Sequence, residues 1–245
     1  MIITIDHLSF SSSSFQNDID SLKNFGYNVL HQNELLENLQ NKKLFLKNFS
    51  PTQKFCLLTL DNQISIEILE YDKKFHTKSF MKPHIAISKL SKSKFLNNFN
   101  FEVHTNEKNF SNGLNLFQID LLTNNLVKSE QFWASFGFKK EIQSNSNSLS
   151  MNFLSPLSNQ TVKLHLILDI NQNHYKLLDY IGFNCLAFIS TSIQNEKSNL
   201  ESKNILTSEI QSLQIGQTIF DIFFCKSETG EIVEIIQPKK SNHNF

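Results

Sequence analysis

The chain opens IITIDHLSF, an apolar run interrupted by one histidine. Isoleucine and phenylalanine at this density favour a β-strand. Side chains alternate across a strand, so His7 is expected to share a face with Ile3 and Ile5. A run of serines follows. Ile19, Leu22 and Phe25 then recur at the spacing of one helix face. Gly26 stands where a helix C-terminus calls for a left-handed residue. Strand-like runs come next at KKLFLKNF, KFCLLTL and QISIEILEY.

The same order returns further along. Residues 116–122 read as a strand, and Asn124 or Asn125 can cap a helix carrying Leu126, Phe132, Trp133 and Phe136. Gly137 ends that helix, and SLSMNFL and VKLHLIL follow as strands. Another copy reads IGFNCLAFIS, a helical stretch near Ile193–Leu200, then ILTSEIQSL, TIFDIFFCKS and GEIVEIIQ. A shortened copy begins at KPHIAISKL and continues in FNFEVHTN. The period is therefore strand, helix, strand, strand, strand, three to four times over. A sheet carrying one helix cannot bury both faces, so such units must pair. The predicted class is α+β: repeated βαβββ modules forming curved mixed sheets. Two domains are expected, residues 1–112 (one full module and the shortened one) and residues 113–245 (two modules).

Composition narrows the function. Of 245 residues, 40% are hydrophobic and 23 are phenylalanine, enough for a large core. Lys+Arg and Asp+Glu both total 23, and every one of the cations is lysine. A neutral chain without arginine lacks the bidentate fork that grips phosphate, so nucleic acid is not an expected partner. Cys56, Cys185 and Cys225 are odd in number and lack CxxC spacing, which suggests a reducing compartment and no disulfide framework. The N-terminus has no basic region ahead of its apolar run, and no run reaches membrane-spanning length. The expectation is a cytoplasmic protein acting on a small molecule, without a membrane. There is no GxSxG and no glycine-rich phosphate loop. The KLSKSK stretch reads as solvated surface, and Trp133 and Phe132 as helix core.

The repeat, with IDHLSF and NFGY at one opening, FQIDLL and FWASFGF at a second, and GFNCLAF with TGEIVEIIQ in the last copy, resembles the vicinal oxygen chelate superfamily. That superfamily includes glyoxalase I, extradiol dioxygenases and bleomycin-resistance proteins. The resemblance covers most of the chain and is weakest over residues 73–114. It implies half-barrels built from paired modules, with metal ligands on the first and last strands of a module. Carried onto this sequence, it implies His7 on a first strand, Glu67 on the last strand of the same module, and His84 on the next first strand. In the C-terminal half it implies Gln118, His165 and Glu234. Gln118 lies fourteen residues before Phe132, as His7 lies before Ser21. The opening strand of the last module offers Asn184 or Cys185 where histidine would be usual.

Two imidazoles and a carboxylate suit Fe, Mn, Ni or Zn with positions left open for two adjacent substrate oxygens. The resemblance thus implies a divalent-metal lyase, isomerase or dioxygenase, with Glu67 and Glu234 as catalytic carboxylates. The alternative is a metal-free binding protein of the same fold. Three pairings of the first module stay open: with the shortened module, with the last module, or across a homodimer. Pairing decides whether His7 and Glu67 meet His84 or Glu234.

Overall fold

The computed structural model describes residues 1–76, 80–88, 99, 101–106, 114–157, 161–170 and 177–239. The first module is β1 (Ile2–Ser11), α1 (Phe15–Asn24), β2 (Asn28–Glu37), β3 (Thr52–Thr59) and β4 (Ser65–Glu70). The shortened module contributes β5 (Met81–Ser88) and β6 (Glu102–Asn106). The third is β7 (Leu114–Thr123), α2 (Leu126–Ala134), β8 (Lys139–Ser144), β9 (Ser148–Leu154) and β10 (Thr161–Leu168). The last is β11 (Gly182–Ser190), α3 (Ile193–Ser202), β12 (Leu206–Thr207), β13 (Gln211–Ile215), β14 (Thr218–Lys226) and β15 (Ile232–Pro238). The KLSKSK stretch and the 112/113 domain division lie outside the described residues.

The helices form where the periodicity placed them. Ile19 and Leu22 are buried on α1, and Gly26 takes φ +91° immediately past it. Asn125 caps α2 by accepting the Lys128 N–H at 3.0 Å, and Gly137 takes φ +95°. Trp133 and Phe136 are buried, with Phe136 stacked on Phe188 at 5.5 Å between ring centroids.

Strand pairing settles how the modules meet. β1 runs antiparallel to β11, so the first module joins the last. β5 runs antiparallel to β7, so the shortened module joins the third. One path reads β2-β3-β4-β1-β11-β15-β14, with β12 and β13 also on β14. The other reads β6-β5-β7-β10-β9-β8. Among the described residues their ladders meet in one pair, Phe183 and Met81, while side chains such as Phe136, Phe153 and Phe188 pack between them. Within each full module the first strand lies parallel to the last: β1 to β4, β7 to β10, β11 to β15. The sheet is open and mixed.

Alternation divides the first path between two cores. Ile66 and Ile68 of β4, with Val233 and Ile235 of β15, join the larger core that also holds Ile19 and Leu22 of α1. Leu69, Ile232 and Ile236 point the other way into a smaller cluster with Phe45, Phe55 and Phe224. Glu67 and Glu234 stand on that second face, in step with Leu69 and with Ile232 and Ile236.

Two expectations need correction. His7 does not share a face with Ile5, which packs in the larger core with Leu8 and Phe10. The ladder pairs Ile5 with Phe188 and His7 with Ala187, so one β1 residue too many, Asp6, lies between adjacent β11 residues. This β-bulge breaks the alternation and turns His7 onto the face of Glu67 and Glu234. The KKLFLKNF run, expected as a strand, begins in a 3₁₀ helix over Gln40–Phe45. Leu39, Lys42 and Phe45 recur every third residue and are all buried, while Leu44 is exposed. That is the period of a 3₁₀ helix rather than a strand. Asn41 pins it across the sheet, its side-chain amide donating to the carbonyls of Glu209 (2.9 Å) and Ile222 (3.1 Å).

Candidate metal centre

Three elements from opposite ends of the chain bring three ligand-type side chains together. His7 comes from β1, Glu67 from β4 and Glu234 from β15. His7 Nε2 lies 3.5 Å from Glu67 Oε2 and 3.5 Å from Glu234 Oε2. All three residues are buried, and one donor atom from each falls within 4.8 Å of the others. His7 Nδ1 is 2.8 Å from Asp6 Oδ2, the bulge residue. An Nδ1–H donated to that carboxylate fixes the ring and leaves Nε2 facing the two glutamates.

Nε2 of His7 and Oε2 of Glu67 are buried without a well-formed hydrogen bond. Such atoms cost free energy unless something joins them. One imidazole nitrogen and two carboxylates are a donor set for a divalent first-row ion. The residues present therefore fit the metal that the sequence resemblance implies.

The cluster's charges reinforce one another. Burial alone would lower the His7 pKa, but the Glu67 charge and the contacts to Asp6, Glu234 and Glu67 raise it well above its ordinary value. Burial alone would raise the Glu67 carboxyl, but the His7 charge, its contact and the Lys42 charge bring it down to about 2. In chelator-treated protein the two form a buried ion pair. The depressed Glu67 contributes stability above the ordinary 4.5, and that contribution is lost as pH falls towards about 2. The raised His7 contributes fully below the ordinary 6.5, and its contribution is lost as pH rises through the elevated folded value. The same pair underlies both, so the terms are not summed; the carboxylate shift corresponds to about 3 kcal/mol. Urea unfolding of chelator-treated protein is expected to show stability greatest between about pH 4.5 and 6.5. Glu67→Gln should flatten the acidic side of that profile.

The triad lies in a cavity of about 160 Å³. Leu36, Leu39, Phe55, Phe220 and Ile222 form much of its wall, and Lys42, Gln53 and His31 add polar groups beyond the triad and Asp6. The sequence reading missed Lys42 because it took the segment for a strand. It missed Asp6 because simple alternation faces it away from His7.

The other predicted ligands gather elsewhere. His84, Gln118 and His165 lie on the second path, around Asp120. His84 Nε2 is 2.8 Å from Asp120 Oδ2, and His165 Nδ1 is 3.3 Å from Oδ1. Gln118 Nε2 donates to Asp120 Oδ1 at 2.7 Å, and His84 Nδ1 meets His104 Nε2 at 3.0 Å. His84 therefore does not complete the His7–Glu67 pair; Glu234 does. Asp120 and His104 were not singled out in the sequence, although Asp120 shares a strand face with Gln118. Neither Cys185 nor Asn184 replaces a histidine ligand. Burial, then Glu234 and Glu67, push the Cys185 thiol well up, and Asn184 spends its amide on the carbonyls of Leu178 and Tyr180.

No family model and no curated protein sequence matches the chain. Solved structures do. A glyoxalase I variant from Zea mays superposes with a TM-score of 0.57 at 13% identity, covering 95% of this chain and 93% of that one. The unsubstituted glyoxalase I from Zea mays gives 0.54 at 13%, covering 95% and 92%. The chain has the vicinal oxygen chelate fold. At such low identity the likeness is one of fold, and the chemistry must come from the residues of this chain. In this vicinal oxygen chelate fold, the groove between the first and last modules holds the triad. Among the described residues, no helix is long and apolar enough to cross a membrane.

Proposed function

We propose that this protein is a divalent-metal-dependent lyase or isomerase acting on a small substrate with adjacent oxygens. The observation that carries the reading is the convergence of His7, Glu67 and Glu234, with His7 Nε2 and Glu67 Oε2 unsatisfied, in a mostly apolar cavity. His7 through Nε2 and the two glutamates would hold the ion. When bound, a divalent ion supplies Lewis acidity to a pair of substrate oxygens. Asp6 keeps His7 in the tautomer that presents Nε2. The apolar wall excludes water, and a carboxylate displaced towards the substrate can take a proton beside a carbonyl.

A dioxygenase is the weaker form of the proposal. Non-haem Fe(II) oxygenases favour two histidines and one carboxylate, whereas this triad has one histidine and two carboxylates. Metal analysis of the purified protein and calorimetric titration with Ni²⁺, Mn²⁺ and Zn²⁺ test the reading. One ion per chain is expected, with affinity falling at low pH as protons compete for the ligands. Turnover of a methylglyoxal–thiol adduct, with none of catechol under oxygen, would support the lyase/isomerase form. Substoichiometric binding of every ion would favour the metal-free binding protein.

A further inference from the structure

We propose that Lys42 anchors an anionic oxygen of the ligand, so that the site takes a compact, mostly apolar acid whose second polar end carries adjacent oxygens. The inference rests on the triad reading and adds a ligand class to it.

Lys42 is only 5% exposed, yet it lines the same cavity as the triad. Among the described residues no carboxylate lies within ion-pair distance of its Nζ and no acceptor within hydrogen-bond distance. Its Nζ stands over the Phe224 ring, 5.4 Å from the centroid, and acts on Glu67 through charge without reaching it. An ammonium that faces the cavity on a largely buried stem, with no protein acceptor, can take an anionic oxygen of a ligand as its partner. Here the fold imposes the burial. The 3₁₀ repeat of Leu39, Lys42 and Phe45 points the three inward, and Asn41 locks the turn to β14 and the segment before β13.

Size and lining fix the rest. A cavity of about 150 Å³ lined by aliphatic and aromatic groups admits benzene. The cavity here, about 160 Å³ with Leu36, Leu39 and Phe55 in its wall, suits a single ring or a branched alkyl group.

The probes are 3,4-dihydroxybenzoate and 3,4-dihydroxybenzamide, alike in shape and differing in charge. Each is titrated calorimetrically into wild type, Lys42→Met and Lys42→Arg, with and without Ni²⁺. Wild type is expected to bind the acid at least tenfold more tightly than the amide. Lys42→Met should erase that ratio while holding the amide within about twofold, and Lys42→Arg should keep a preference for the acid. If Lys42 served only to stabilise Glu67, Lys42→Met would shift Ni²⁺ affinity but leave the acid-to-amide ratio intact, and the proposal would fall. It falls also if wild type binds both probes equally or neither. Should the methionine variant misfold by circular dichroism, Lys42→Gln takes its place. The triad reading fails separately, through absent heat when Ni²⁺ alone is titrated; an acid preference that survives in that case leaves Lys42 as the anchor of a metal-free binding site.

Discussion

His7→Ala is expected to abolish stoichiometric metal binding and to destabilise chelator-treated protein by about 3–5 kcal/mol. Both effects follow from the imidazole's position. As a ligand it supplies the one nitrogen of the proposed set, and its loss leaves two carboxylates that grip a first-row ion poorly. As a charge it is the cation 3.5 Å from both Glu67 and Glu234, each under 9% exposed. Removing one partner of a buried pair strands the others in a poorly hydrated site, which costs far more than loss of an exposed ion pair. Among the described residues Lys42 is the other cation lining the cavity, and it reaches neither glutamate within ion-pair distance. Ni²⁺ titration and urea unfolding at pH 6 check the two halves of the prediction. A variant that still takes up one ion with unchanged affinity would move the metal site away from β1. His7→Asn, which keeps a hydrogen-bonding side chain, should recover some stability but little metal affinity.

Much of this was legible in the sequence because the repeat is a matter of local pattern. Glycines at 26 and 137, helix faces three residues apart and short apolar strands each carry their own physical signal. Glu67 and Glu234 were named because the resemblance puts a ligand on the last strand of a module, and ISIEIL and EIVEIIQ each hold an acid there. What local pattern could not reveal was which modules pair. The choice between His84 and Glu234 as the third member depended on β1 meeting β11, a contact between residues about 180 apart in the chain. Nor does periodicity register a bulge. Asp6 breaks the alternation by one residue, and that residue decides which side of the sheet His7 faces. Lys42 was lost for a related reason: KKLFLKNF has the apolar content of a strand, and Leu39, which begins the three-residue repeat, lies outside it. The Asp120 cluster shows the converse limit. His84 was expected beside His7 and Glu67, and Gln118 and His165 beside Glu234, whereas the acid that gathers His84, Gln118 and His165 lies on the strand as an ordinary-looking aspartate.

Separating the chain between residues 112 and 113 is expected to destroy the candidate centre in both pieces and to restore it on mixing. His7 and Glu67 lie in the first piece and Glu234 in the second. Alone, the first piece loses β11 from the edge of β1 along nearly its whole length, and Phe10 loses the Phe183 ring at 5.0 Å. The second loses β1 from β11 and β5 from β7. Each piece thus bares a long apolar strand edge, a surface that seeks a partner. Fragment 1–112 should bind Ni²⁺ at least a hundredfold more weakly than the intact chain, as a pair of ligands lacking the third. Equimolar mixing should recover one ion per pair and a cooperative unfolding transition, read by calorimetry and circular dichroism. Metal binding by fragment 1–112 alone at intact affinity would mean that Glu234 is dispensable. Self-association of that fragment with half-stoichiometric metal would mean that a second copy of β1 can stand in for β11. Such a pairing would still lack the third ligand, because Glu234 lies on β15 in the second piece and no second copy of the first can supply it.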